Sequence, residues 1–150
     1  MIYRLIAVII GLGLSGLVYA SVITGGGGYE LGEKFELTKA TQVIKNNGTV
    51  VYQVSPHDNY YSNILLRVNT SKMIHRITIT SKVLVESACY AQMGEIQMET
   101  EKLHPGLNYY AMGENEMFFD KERTFTIECN EVKGGWQLQL EYADDILAKE

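Results

Sequence analysis

From Arg123 to Tyr142 the chain alternates apolar and polar side chains with a period of two. Trp136, Leu138, Leu140 and Tyr142 share one parity, and Gln137, Gln139 and Glu141 the other. Phe125, Ile127 and Cys129 alternate in the same way with Thr124, Thr126 and Glu128. This is the pattern of half-buried strands, and Gly134-Gly135 between the two runs predicts a hairpin. Ile64, Leu66 and Val68 give a third strand within Asn63–Asn69, and Ile77 and Ile79 a fourth within Arg76–Thr80. Thr49–Val54 follows the turn signal Asn46-Asn47-Gly48 and reads as a fifth. Phe35–Thr41 and Leu107–Met112 are weaker strand candidates, and 143–150 reads as a short helical turn or frayed end.

Lys82–Leu103 carries two signals. Val83, Val85 and Cys89 share strand parity, as do Ile96, Met98 and Thr100, whereas Leu84, Ala88 and Ala91 fit a helical stripe and Glu95–Lys102 is rich in helix formers. The segment is read as strand, a turn near Gln92–Glu95, and strand, with a helix as the alternative. Seven to nine short strands separated by turns predict an all-β fold, a small antiparallel β-sandwich over residues 35–150.

The N-terminus has a different pattern. Arg4 precedes the uncharged apolar run Leu5–Val18, and Val18-Tyr19-Ala20 offers a small-residue cut before Ser21. This is the layout of a signal peptide over residues 1–20, with an uncleaved membrane anchor as the alternative. It predicts a periplasmic or secreted location for the rest of the chain. Gly25–Gly28 has no fixed backbone preference, so 21–34 is read as a flexible Gly-rich leader. No strand, helix or Lys-Ser/Thr stands in register to make that run a phosphate loop.

Composition narrows the function classes. The 150 residues are 46% hydrophobic, enough for one core, and the net charge of −5 argues against nucleic acid as the main partner. Removing residues 1–20 takes away Arg4 and no acid, which leaves the remainder more acidic still and suited to a basic partner. The two cysteines, Cys89 and Cys129, both lie beyond the export signal and predict a disulfide. Both fall on inward parity, and closing a loop of about 40 residues stabilises by roughly 4 kcal/mol on the chain-entropy model.

No HExxH, GxSxG, P-loop, EF-hand or CxxC pattern is present, so neither an enzyme nor a cofactor or metal is expected. His57, His75 and His104 are isolated in sequence, and His75 reads as a packed or edge histidine. Glu95, Glu99 and Glu101 read as a solvated face rather than an acid pair. Asn47-Gly48-Thr49 and Asn69-Thr70-Ser71 match the glycosylation triplet. Two tyrosine-bearing loops are the candidate binding surface. Tyr60 and Tyr61 follow Pro56-His57-Asp58-Asn59, and Tyr109 and Tyr110 follow His104-Pro105-Gly106. Tyrosine supplies large contact area at modest entropic cost. Neighbouring strand residues point oppositely, so one ring of each pair is alternatively core.

The stretch Tyr61–Thr80, followed by Leu103-His-Pro-Gly-Leu-Asn-Tyr-Tyr-Ala, resembles small exported β-sandwiches of the pre-peptidase C-terminal type. The same layout is found in periplasmic lysozyme inhibitors. The resemblance spans about 80 central residues and implies the β-sandwich fold, with lysozyme inhibition as one version of a binding role. Those inhibitors carry a Ser-Gly-x-Tyr loop; here Pro105 stands in place of Ser before Gly106, and Tyr109 comes one position late. The resulting expectation is an exported module that binds a protein or glycan through Tyr60, Tyr61, Gly106, Tyr109 and Tyr110, with a basic protein such as lysozyme as one version. A membrane-anchored component of an envelope complex, held by residues 1–20, and a hydrolase with an unrecognised site are the alternatives.

Overall fold

The structure, a computed structural model, describes residues 21–150 other than Asn47 and Glu114, with the backbone alone at Asn46 and Met112. The signal peptide expected over residues 1–20 therefore lies outside the described residues. The fold is all-β and sandwich-like. Two short strands, β1 (Gly25–Gly26) and β2 (Tyr29–Glu30), form a small sheet. The large sheet contains β3 (Gln42–Asn46), β4 (Thr49–Val54), β5 (Tyr61–Val68), β6 (Ile74–Ser81), β7 (Asn108–Met112), β8 (Asn115–Asp120), β9 (Arg123–Val132) and β10 (Gly135–Asp144). Its spatial order is β3-β4-β5-β6-β10-β9-β8-β7, and every pairing is antiparallel. Two hairpin-connected meanders thus meet at a β6–β10 seam, and one helix, α1 (Glu86–Leu103), links them.

The alternation in sequence sets the two faces of this sheet. Leu138 and Leu140 of β10, Ile127 and Cys129 of β9, Ile77 and Ile79 of β6, and Ile64 and Leu66 of β5 are buried on the inner face. Threonine, glutamine and glutamate alternate with them toward solvent. Gln137 and Gln139 are half-buried rather than exposed, and Gln137 donates to the Ser81 carbonyl at 3.1 Å. Trp136 is also only half-buried, with its ring 5.5 Å from Tyr90. One row of directly paired residues crosses the whole inner face: Val43, Tyr52, Leu66, Ile77, Tyr142, Phe125, Phe118 and Tyr109.

The second layer and its flanks correct three sequence expectations. Residues 82–103 form no strand pair beyond a single Leu84–Trp136 bridge; Glu86–Leu103 is a helix. Its inward stripe is Cys89, Met93, Ile96 and Thr100, at spacings of four, three and four. Only the first two are fully buried. Glu86 in the first turn and Lys102 in the last complement the helix dipole. Residues 21–34 are not a loose leader. They form a strap across the inner face, with Ile23 only 4% and Leu31 only 5% exposed. The glycines permit this closeness. A Cβ at Gly26 would meet the Tyr142 ring at 2.6 Å, and Gly27 takes a φ of +64° against Ile64 and Ile79. Phe35–Thr41 is not a strand either. Phe35 is buried, 5.5 Å from the Tyr52 ring, and Leu37–Lys39 forms a 3-10 turn.

The Cys89–Cys129 disulfide joins α1 to β9, with the Cα atoms 6.0 Å apart. Cys129 has the inward strand parity read from the sequence, whereas Cys89 is inward because it begins the helical stripe. Among the described residues, no helix is long and apolar enough to cross a membrane.

Candidate functional site

The helix stops where its sequence demands it. His104 is the C-cap, in a non-helical conformation, and its N–H donates to the Thr100 carbonyl at 2.9 Å. Pro105 and Gly106 come next, and a turn closes when the Leu107 N–H donates to the His104 carbonyl at 3.0 Å. The chain then enters β7, whose outer side has no strand partner among the described residues.

Parity divides the two tyrosines of β7. Tyr109 joins the inner row, its ring 5.2 Å from Phe118; Phe118 lies 6.1 Å from Phe125, which stacks on Tyr142 at 4.5 Å. Four aromatic rings thus stand side by side on four adjacent strands. Tyr110 points to the opposite face, opposite Met117 and on the same side as Phe119 of β8. The open edge is therefore aromatic on both faces: Tyr109 is 40% exposed, Tyr110 58% and Phe119 36%. The Tyr109 hydroxyl donates to the Glu116 carboxylate. That bond, with smaller contributions from burial and from the charges of Glu116 and Glu101, pushes the Tyr109 phenol up to about 12.

Behind this edge, a cleft of about 260 Å³ runs between the strap and α1. Phe125 and Tyr142 floor it, with Ile23 on one wall and Ile96 and Leu103 on the other. Burial pushes the Tyr142 phenol up to about 12. The cleft continues past His104 into a second lobe under Gly106 and Leu107, flanked by Asp120 and Lys121 of the β8–β9 turn. Glu99 lines the inner lobe, and Glu101 lies beyond it on the exposed side of the helix. The arrangement is a groove of mixed polarity, with Glu99, Asp120 and Lys121 along it and the aromatic β7 edge beside it.

Tyr60 and Tyr61 lie elsewhere. They open β5, whereas Gly106 and Tyr109 open β7, and four strands intervene. At about 4.8 Å per strand this is roughly 24 Å across the sheet. The two loops also sit at opposite ends of the strands, as the pairings of Tyr61 with Ser81 and Asn108 with Phe119 require. Both rings of the first pair are half-buried, edge-on to each other at 5.2 Å, and Tyr61 packs against the core. The five tyrosine-loop residues thus do not form one surface. Gly106, Tyr109 and Tyr110 lie together at the β7 edge, with Tyr109 on its inner face and Tyr110 beside Phe119 on the other; the sequence pattern hides Phe119 because β8 carries no clean alternation.

The remaining chemical candidates are dispersed. His57 is exposed in the β4–β5 loop beside the Tyr29 ring, His75 is half-buried on β6 and His104 caps α1. Among the described residues none of the three makes a hydrogen bond to a carboxylate, and no group of three His, Cys, Asp or Glu side chains is placed to hold a metal. Glu95, Glu99 and Glu101 are exposed on α1, and Glu101 accepts from Gln97 at 3.1 Å. Asn69 of the second glycosylation triplet is engaged: its amide accepts from the Ser71 and Met73 N–H groups and donates to the Leu147 carbonyl. Asn47 of the first lies outside the described residues. No family model, curated protein or solved structure matches the chain.

Proposed function

We propose that the chain is an exported, disulfide-bonded binding module without catalytic activity, which engages a basic protein partner through the β7 edge and the loop 104–107. The observation that carries this reading is the exposure of Tyr109, Tyr110 and Phe119 together on an unpaired sheet edge beside Glu101 and Glu116. Aromatic anchors ringed by charge are how a surface combines buried contact area with steering of an oppositely charged partner. Gly106 and Leu107 are its inner boundary, and the adjoining cleft admits one side chain of the partner. The disulfide fits an oxidising compartment, periplasmic or extracellular, reached through removal of residues 1–20. Inhibition of a lysozyme is the concrete version suggested by the sequence resemblance, since a basic enzyme matches the charge of this edge.

The experiment is capture of partners by the disulfide-intact protein from envelope and host extracts at two salt concentrations, together with assays of c-, g- and i-type lysozymes in its presence. A basic partner retained at low salt, and lost with Tyr110→Ser and Phe119→Ser, supports the reading. Lysozymes that stay fully active at micromolar protein remove the inhibitor version. A partner retained unchanged by both variants removes the β7 edge as the surface.

A further inference from the structure

At the far side of the large sheet, the β4–β5 ladder ends early. Its pairs run from Val54↔Ile64 to Tyr52↔Leu66, although β4 begins at Thr49 and β5 continues to Val68. The two strands splay into a fork of about 480 Å³, lined by Thr49, Arg67, Asn69, Thr70 and His75. Main-chain groups of Thr49–Val51 on that side have no strand partner among the described residues, so hydrogen-bonding capacity remains open inside the fork.

The charges in the fork are unbalanced. Arg67 stands directly opposite Arg76, a like-charge cross-strand pair of the kind that destabilises a sheet. Glu141 answers Arg76 at 2.8 Å, but among the described residues no carboxylate pairs with Arg67. The register then shifts, with Val68 paired to Ile74, so His75 is the extra residue of a bulge. Bulges re-aim side chains, and this one brings an imidazole to the same fork as the unanswered guanidinium. Burial lowers the His75 pKa, and Arg76 and Arg67 lower it further, against opposing contributions from Asp144 and Asp145. Among the described residues, Arg67 is thus the cation of the fork without a carboxylate partner, while Asp144 and Asp145 act on His75 from the β10 end and the Thr70 hydroxyl donates to the Glu150 main-chain oxygen.

We propose that the fork between β4 and β5 binds the phosphate group of a small ester or lipid headgroup, held by Arg67 and protonated His75, with the Thr49 hydroxyl as a further donor. The three free oxygens of a phosphate monoester can accept together from the Arg67 guanidinium and from the His75 imidazole once it is protonated, which a planar carboxylate does less well. The volume admits the phosphate together with a small alcohol portion. Binding and protonation of His75 are reciprocal, because each makes the other more favourable.

The test is a proton NMR titration of the His75 ring in the disulfide-intact protein, in glycerophosphate and in sodium chloride of equal ionic strength. Glycerophosphate is expected to raise the His75 midpoint by about one unit relative to chloride, the size of shift an opposite charge at contact distance produces. The rise should vanish in Arg67→Ala, an exposed substitution outside the core. Co-sedimentation with phosphatidylcholine vesicles, with and without phosphatidate, separates the sources. Phosphatidate-dependent sedimentation lost in Arg67→Ala assigns the site to a lipid headgroup, and a glycerophosphate shift without sedimentation assigns it to a soluble ester. Equal midpoints in the two salts with no phosphatidate-dependent sedimentation, or responses undiminished in Arg67→Ala, overturn the proposal.

Discussion

Arg123 donates from Nε to Asp144 Oδ2 at 2.8 Å, and its remaining nitrogens reach across to the strap, to the carbonyls of Ile23 at 3.1 Å and Leu31 at 3.4 Å. One guanidinium therefore ties the second layer to the sheet. Asp144 in turn accepts from the N–H groups of Ile146 and Leu147. Burial pushes the Asp144 carboxyl up, but the Leu147 N–H, the bond and charge of Arg123 and the Ile146 N–H together outweigh it and hold the pKa below the ordinary value. A depressed carboxylate contributes stability above its unfolded pKa, near 4, and that contribution is lost as pH falls through the folded value. Asp144→Asn should cost about 2 kcal/mol at pH 7, the scale of a hydrogen bond to a charged group. Urea denaturation should show the gap from the parent protein closing as pH falls from about 4.5 toward 2. A gap independent of pH would assign the cost to packing instead.

Leu138 and Gln139 are sequence neighbours on opposite faces of β10. Leu138→Ala should destabilise by roughly 2–5 kcal/mol, and Gln139→Ala by no more than about 0.5 kcal/mol. Equilibrium denaturation of both variants measures the difference. Gln137 is the less neutral control, because it holds the Ser81 carbonyl.

The disulfide should matter most to α1, whose buried stripe is narrow. Cys129→Ala should cost roughly 2–5 kcal/mol. Hydrogen exchange in that variant should lose protection in Cys89–Thr100 before the sheet does. Uniform loss across the sheet and helix would show that the helix is held by its other contacts.

Gly26→Ala should destabilise by about 1–3 kcal/mol, an overpacking cost, because its methyl meets the Tyr142 ring, against which Phe125 stacks. Quenching of Tyr142 by a small solute should rise in this variant as the strap lifts. Restoration by Tyr142→Leu, which removes the obstructing ring atoms, checks the cause.

Spectrophotometric titration should find Tyr109 ionising near its raised value of about 12. Glu116→Gln removes both the carboxylate acceptor and its charge, so one tyrosine should return toward about 10 in that variant. An unchanged titration curve would show that the Tyr109–Glu116 bond does not persist in solution.

The strands legible in the sequence were those where one face alternates cleanly. Phe125, Ile127 and Cys129, then Leu138 and Leu140, leave no other reading. α1 was obscured because Val83, Val85, Ile96 and Met98 imitate strand parity, while Cys89 and Met93 alone mark the fully buried helical side. The available signal was the run of helix formers from Glu95 to Lys102. β3 and β8 gave little pattern: Gln42–Asn46 lies at an edge, and Asn115–Asp120 places Phe118 and Phe119 on opposite faces. The strap left no periodicity to read, since glycine contributes close approach rather than a side chain. The candidate surface was half legible. Tyr109 and Tyr110 stand out in the sequence, but their neighbour Phe119 is joined to them only by the β7–β8 hairpin, and Tyr60 and Tyr61 are separated from them by a topology that no local pattern encodes.

The β6–β10 seam places β10, the last of the described strands, at the middle of the large sheet. A chain emerging from its N-terminal end can zip β3 through β6, and then β7 through β9, from hairpins closed by short turns. Until β10 arrives, the inner edges of both meanders are open, with Ile77, Ile79 and Ile127 uncovered beside them. Joining the two meanders is therefore a closing step made by β10, and before it during vectorial synthesis two half-sheets with exposed adhesive edges coexist. Loss of β10 would divide the large sheet rather than trim it.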